Sequence, residues 1–170
     1  MSTKQRPNWD IFWFAQALIY STRGTCDRLR TGCVIVKNKR IVGAGYNGSV
    51  SGLPHCDDVG HHIIEGHCER TLHGEENAVL NTARNDLKEA TAYVIATPCY
   101  RCAKILVNAG VSEVKYLGSY SNSRGKDWLE SLSKDCGVPF THFDSSPLEI
   151  LNIHVERLKS KGGALYANKK

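Results

Sequence analysis

Residues 91–117 read TAYVIATPCYRCAKILVNAGVSEVKYL, and this stretch decides the fold class. Tyr93-Val94-Ile95-Ala96, bounded by Thr91 and Pro98, is a short apolar run of the kind a buried strand makes. Pro98 suits the start of a helix over Cys99 to Ala109, and Gly110 stands where a left-handed residue ends one. Val111 to Leu117 then reads as a second strand. Further toward the C-terminus come a helix over Asp127 to Cys136 and a strand over Gly137 to Phe143. Ser146 and Pro147 then cap and open a last helix that ends before Gly162-Gly163. Toward the N-terminus lie a helix over Glu75 to Arg84, with Ala78, Val79 and Ala83 on one face, and a His- and Cys-laden segment from His55 to Glu69 with little periodicity. Before these, Gly43 to Pro54 reads as loop, and Cys33–Val36 and Arg40–Val42 as a hairpin around Lys37-Asn38-Lys39. Asn8 caps a first helix running to about Tyr20, whose stripe Trp9, Phe12, Trp13, Gln16, Ala17 and Tyr20 reads as core packing. Strands alternating with helices argue an α/β domain, its second half mainly parallel and attached to an N-terminal hairpin. The 170 residues suggest one domain over 1–170, with a core over about 8–145, a terminal helix over about 146–160 and a short basic tail.

Composition narrows the class. With 41% hydrophobic and 23% charged residues the chain is ordinary globular material, and no apolar run approaches the roughly 18 residues of a membrane span. The polar start, Met1 to Asp10, carries no signal-peptide core, so a cytoplasmic location is expected. Seven cysteines in such a chain are many and odd in number. In a reducing compartment they point to metal ligation or catalysis rather than to disulfides; Cys33 and Cys136 read as packing residues. The net charge of +5 comes from the two ends, while residues 41–154 are net acidic. That distribution gives no support for nucleic-acid binding, although Arg23, Arg28 and Arg30 form a cluster suited to a small phosphate.

His73-Gly74-Glu75 and Pro98-Cys99-Tyr100-Arg101-Cys102 carry the chemistry. His73, Cys99 and Cys102 are good zinc ligands, and three protein ligands leave the fourth tetrahedral position open, as a catalytic site requires. Two cysteines three apart at a helix N-terminus lie within one turn, where free N–H groups favour thiolate. Glu75, two residues from His73, is placed to take a proton from water there. A lone C-x-x-C would equally fit a closed structural zinc, but H-x-E followed by P-C-x-x-C is the pattern of zinc deaminases.

The resemblance extends further. Cys26-x3-Arg30-x-Gly32-x-Val34-Ile35-Val36, Gly45-Tyr46-Asn47-Gly48, His55-Cys56, Gly66-His67-Cys68-x-Arg70-Thr71 and His73-x-Glu75-x-Asn77-Ala78 resemble the deoxycytidylate (dCMP) deaminases over roughly residues 10 to 145. The chain departs at Gly74, where the family usually has Ala; a glycine there loosens the helix start and is expected to affect how the substrate is placed. The resemblance implies a three-layer α/β/α cytidine-deaminase-like fold with a central mixed sheet of about five strands. It implies hydrolytic deamination of dCMP to dUMP and ammonia at C4 of the base, feeding thymidylate synthesis, with Glu75 as the proton carrier. It also implies a second, structural zinc on Cys26, Cys56, Cys68 and either His61 or His67; His61 is favoured because His67 adjoins Cys68.

Further roles follow from the same resemblance. Asn47 contacts the substrate sugar, and Gly45, Tyr46, Asn47 and Gly48 contribute to an allosteric nucleotide site in regulated members, which dCTP with Mg2+ activates and dTTP inhibits. The residues themselves suggest that Thr97, beside Pro98, shapes the base pocket and that Arg30 and Tyr120, the latter following the strand to Leu117, meet the 5′-phosphate, with Arg124 and Lys126 as alternatives. Relatives are homo-oligomers, hexamers or dimers. The competing readings are a zinc deaminase of another cytosine nucleoside, nucleotide or nucleic-acid base, and a catalytically silent zinc-binding protein of the competence type. The presence of Glu75 argues against the latter, because a structural zinc needs no such carboxylate.

Overall fold

The computed structural model describes residues 6–118 and 126–165. Helix α1 (Trp9–Ser21) starts where Asn8 Oδ1 accepts the N–H of Ile11 at 2.8 Å. Strands β1 (Gly32–Lys37) and β2 (Arg40–Tyr46) follow, joined through Asn38 at φ 50° and Lys39 at φ 59°, the paired left-handed residues of a type I′ turn. Short elements then succeed one another: β3 (Gly48–Ser49), α2 (Cys56–Val59), β4 (Ile63–Ile64), β5 (His67–Cys68) and β6 (Thr71–Leu72). Helices α3 (Gly74–Leu80) and α4 (Arg84–Leu87) lead into β7 (Thr91–Val94), α5 (Tyr100–Ala109), β8 (Glu113–Tyr116), α6 (Lys126–Cys136), β9 (Phe140–His142) and α7 (Pro147–Lys159).

The main sheet has five strands in the order β2-β1-β7-β8-β9; β1 is antiparallel to both neighbours, and β7, β8 and β9 run parallel. This is the mixed α/β sheet the sequence predicts. Alternation along β1 splits the core into two. Val34 and Val36 join Ile11, Phe14, Tyr93 and Ile150 beneath α1 and α7, whereas Cys33 and Ile35 join Ala78, Leu106 and Val114 beneath α3 and α5. Among the described residues no helix is long and apolar enough to cross a membrane.

Four local expectations are corrected. Strand β2 continues through Gly43–Tyr46, where a loop was expected. The glycines there serve close approach: a Cβ on Gly45 would stand 2.3 Å from the Ala78 nitrogen and 2.4 Å from the Gly74 oxygen of α3. The helix expected to reach Arg84 stops at Leu80, because Thr82 turns its hydroxyl back onto the Ala78 carbonyl at 2.6 Å. The buried face of α1 is Ile11, Trp13, Phe14, Ala15 and Ala17, while Trp9 and Tyr20 are exposed, since α7 and the sheet cover only one side of the helix. Cys136, read as a packing residue, is exposed at the end of α6.

Candidate metal and catalytic site

Two helix starts converge at the site. His73 is the N-cap of α3 and Cys99 the N-cap of α5, where its sulfur accepts the N–H of Cys102 at 3.5 Å. His73 Nδ1 lies 3.6 Å from Cys99 Sγ and 3.3 Å from Cys102 Sγ. A tetrahedral zinc with bonds of about 2.0–2.3 Å needs ligand atoms roughly 3.5 Å apart, so this donor set fits one ion. The protons are distributed accordingly. The Cys102 hydrogen bond, then that of His73, draws the Cys99 thiol down to about 4. The Cys99 bond raises His73 to about 9, and bonding to Cys99 together with burial pushes Cys102 well up. A cation entering the site displaces these protons.

Glu75 is 5% exposed on the first turn of α3. Burial lifts its carboxyl to about 7 against the downward pull of His73, which suits a group that accepts and returns a proton near neutrality. It borders a cavity of about 690 Å³ that Thr31, Asn47, His73, Thr97, Cys99 and Trp128 help to line.

The other predicted residues are distributed as follows. Asn47, buried on the cavity wall, accepts the Thr31 N–H at 2.8 Å and donates to the Leu29 carbonyl at 3.0 Å. Thr97 donates its hydroxyl to the Gly118 carbonyl. Gly74 is buried under β1, Gly45 is packed beneath α3, Gly48 is buried in β3, and the Tyr46 carbonyl accepts from Asn77 at 2.8 Å. Arg30 is not brought to the cavity. It donates to the Gly24 carbonyl at 3.0 Å and pairs with Asp57 at 3.2 Å, whereas among the described residues Arg28, Arg101 and Lys104 line the cavity. Tyr120 and Arg124 lie outside the described residues, as does the side chain of Lys126. Sequence reasoning missed Glu76 and Arg101, which pair at 3.0 Å beside His73; a Glu three residues after an N-cap was the one available signal for the first.

A second cluster joins Cys26, between α1 and β1, to the segment between β3 and β6. The donor atoms of Cys26, Cys56, His61 and Cys68 all fall within 4.8 Å of one another, with Cys26 Sγ 3.6 Å from His61 Nδ1 and Cys56 Sγ 3.5 Å from Cys68 Sγ. His61 turns its other nitrogen to Asp27 at 3.0 Å, as a metal-bound imidazole commonly does. Burial first, then its cysteine neighbours, push Cys56 up to about 12. Cys68 is brought down to about 7 by the N–H groups of Arg70 and His62 in spite of burial. Four donors with no open position are the chemistry of a structural zinc. His67, the alternative ligand, is not in the group.

The sequence profile of the cytidine and deoxycytidylate deaminase zinc-binding region matches residues 7–118. The chain belongs to that family. Among relatives of this deaminase domain, ComE operon protein 2 of Bacillus subtilis strain 168 is 39% identical over 136 residues, covering 79% of this chain and 70% of that protein. The deoxycytidylate deaminase of Mycobacterium phage D29 is 33% identical over 122 residues, covering 65% of this chain and 95% of that one. The dCMP deaminase of cyanophage S-TIM5, solved in complex with dCMP and dUMP, superimposes with a TM-score of 0.67 at 26% identity, over 82% of this chain and 99% of its own.

Proposed function

We propose that the chain hydrolyses dCMP to dUMP and ammonia as a zinc enzyme, with one catalytic and one structural zinc per chain, residues 1–170 acting as a single deaminase domain. One observation carries the reading: the buried Glu75 sits two residues from the His73 N-cap, whose imidazole shares an ion-sized space with Cys99 and Cys102. A zinc ion on those three residues supplies a Lewis acid and lowers the pKa of water beside it. Glu75 takes the proton of the attacking water and passes it to N3 as oxygen bonds to C4. Glu75 then takes the remaining proton from the C4 hydroxyl and passes it to the 4-amino group; the C4–N bond breaks, ammonia departs and the uracil C4 carbonyl remains. Asn47 and Thr97 hold the walls against which sugar and base rest. With Arg30 engaged by Asp57 and Arg101 by Glu76, Arg28 and Lys104 are the cations among the described residues that line the cavity for a 5′-phosphate.

Glu75→Gln is expected to keep its zinc and lose turnover by at least about a hundredfold; substantial deamination by that variant overturns the assignment. Rates on dCMP, dCTP, cytidine and a cytosine oligonucleotide identify the substrate. No deamination of any of them by zinc-loaded protein would favour the binding-protein reading. The reading includes activation by dCTP with Mg2+, inhibition by dTTP, a hexameric or dimeric assembly and a cytoplasmic location. Kinship with the deoxycytidylate deaminases is what supports these, and a flat response to both nucleotides would remove the regulatory part.

A further inference from the structure

Glu76 follows the proton carrier, yet the chemistry above does not use it. It is 7% exposed, and a carboxylate so buried persists only where its oxygens are engaged. Oε2 accepts the His73 backbone N–H at 2.8 Å and Oε1 meets Arg101 Nε at 3.0 Å. His73 is a ligand on one helix start, and Arg101 lies between Cys99 and Cys102 on the other. One carboxylate therefore joins both halves of the metal site.

We propose that Glu76 and Arg101 form a strap that fixes the separation of the α3 and α5 starts, and with it the hold of His73, Cys99 and Cys102 on their ion. The proposal rests on the reading of those three residues as the catalytic zinc site. Both are positioning residues. Arg101 is 67% exposed along its side chain, so the pair contributes little to overall stability; what it sets is geometry, through a guanidinium edge that lysine does not reproduce.

A capping role alone would need only the bond from Glu76 to the His73 N–H. Glu76→Gln keeps that acceptor and removes the charge that holds Arg101, so it separates the strap from the cap. The experiment loads the full chain with zinc and follows its release to a chelator, with the Cys26, Cys56, His61 and Cys68 cluster as internal reference. Glu76→Gln and Arg101→Gln are each expected to weaken zinc at the His73 site by about tenfold. The double variant should be no weaker than either single, Arg101→Lys should fail to restore the wild-type value, and the reference cluster should be unaffected. Unchanged release in either single variant, multiplicative losses in the double, or equal loosening of both clusters overturns the strap. Wild-type protein that takes up no zinc at His73, Cys99 and Cys102 overturns the function reading as well, and zinc content shows this before any variant is made.

Discussion

Gly74 is buried in the first turn of α3, under β1, and its surroundings have room for a methyl. A Cβ there meets Gly32 Cα and Thr31 Oγ1 at 3.4 Å, ordinary contact, and the backbone is not left-handed. Gly74→Ala is therefore expected to stabilise the protein by about 0.5–1 kcal/mol, by narrowing the unfolded ensemble and favouring helix. A higher denaturant midpoint checks it; a lower one would reveal a clash. Asn47 presents the opposite case. Both ends of its amide are engaged by backbone on the cavity wall, so Asn47→Ala should lose about 1–3 kcal/mol from the two groups left unpaired. The same midpoint measures it. Its residue type was readable as a site feature, but its partners at Leu29 and Thr31 were not, because hydrogen bonds across that span follow from how the loop is laid down.

At the scale of elements, α3 carries Glu75 and is seated directly on β2. Gly45→Ala would force a methyl into the α3 backbone, with an expected loss of about 1–3 kcal/mol or more, the range typical of overpacking. The shift of α3 should lower turnover as well; normal melting and normal activity in this variant would refute the close seating. This glycine shows why part of the fold escaped sequence reading. Glycine marks either a turn or a close approach, and the choice depends on what packs above it. The strand, helix and strand over residues 91–117 were readable because apolar runs, the early proline and Gly110 at φ 100° are local signals. The hairpin of β4 and β5 was hidden in a stretch without periodicity; its turn, Glu65 at φ 48° and Gly66 at φ 80°, is the I′ pair that binds two very short strands.

For the molecule as a whole, the proposed second zinc ties Cys26, beyond α1, to residues 56–68, which the main sheet does not include. Cys56→Ser is expected to reduce zinc from two ions per chain to one and to expose residues 50–70 to proteolysis and hydrogen exchange before the five-stranded sheet opens. A wild-type zinc content of one would refute this. The alternation of strands and helices and the donor types of H-x-E and P-C-x-x-C were legible along the chain, because periodicity and ligand chemistry are written in neighbouring residues. Tertiary structure alone decided which side of α1 is buried, that Arg30 turns to Asp57, and that Glu76 reaches Arg101. Each of these depends on the distance between residues far apart in the chain, and packing sets that distance.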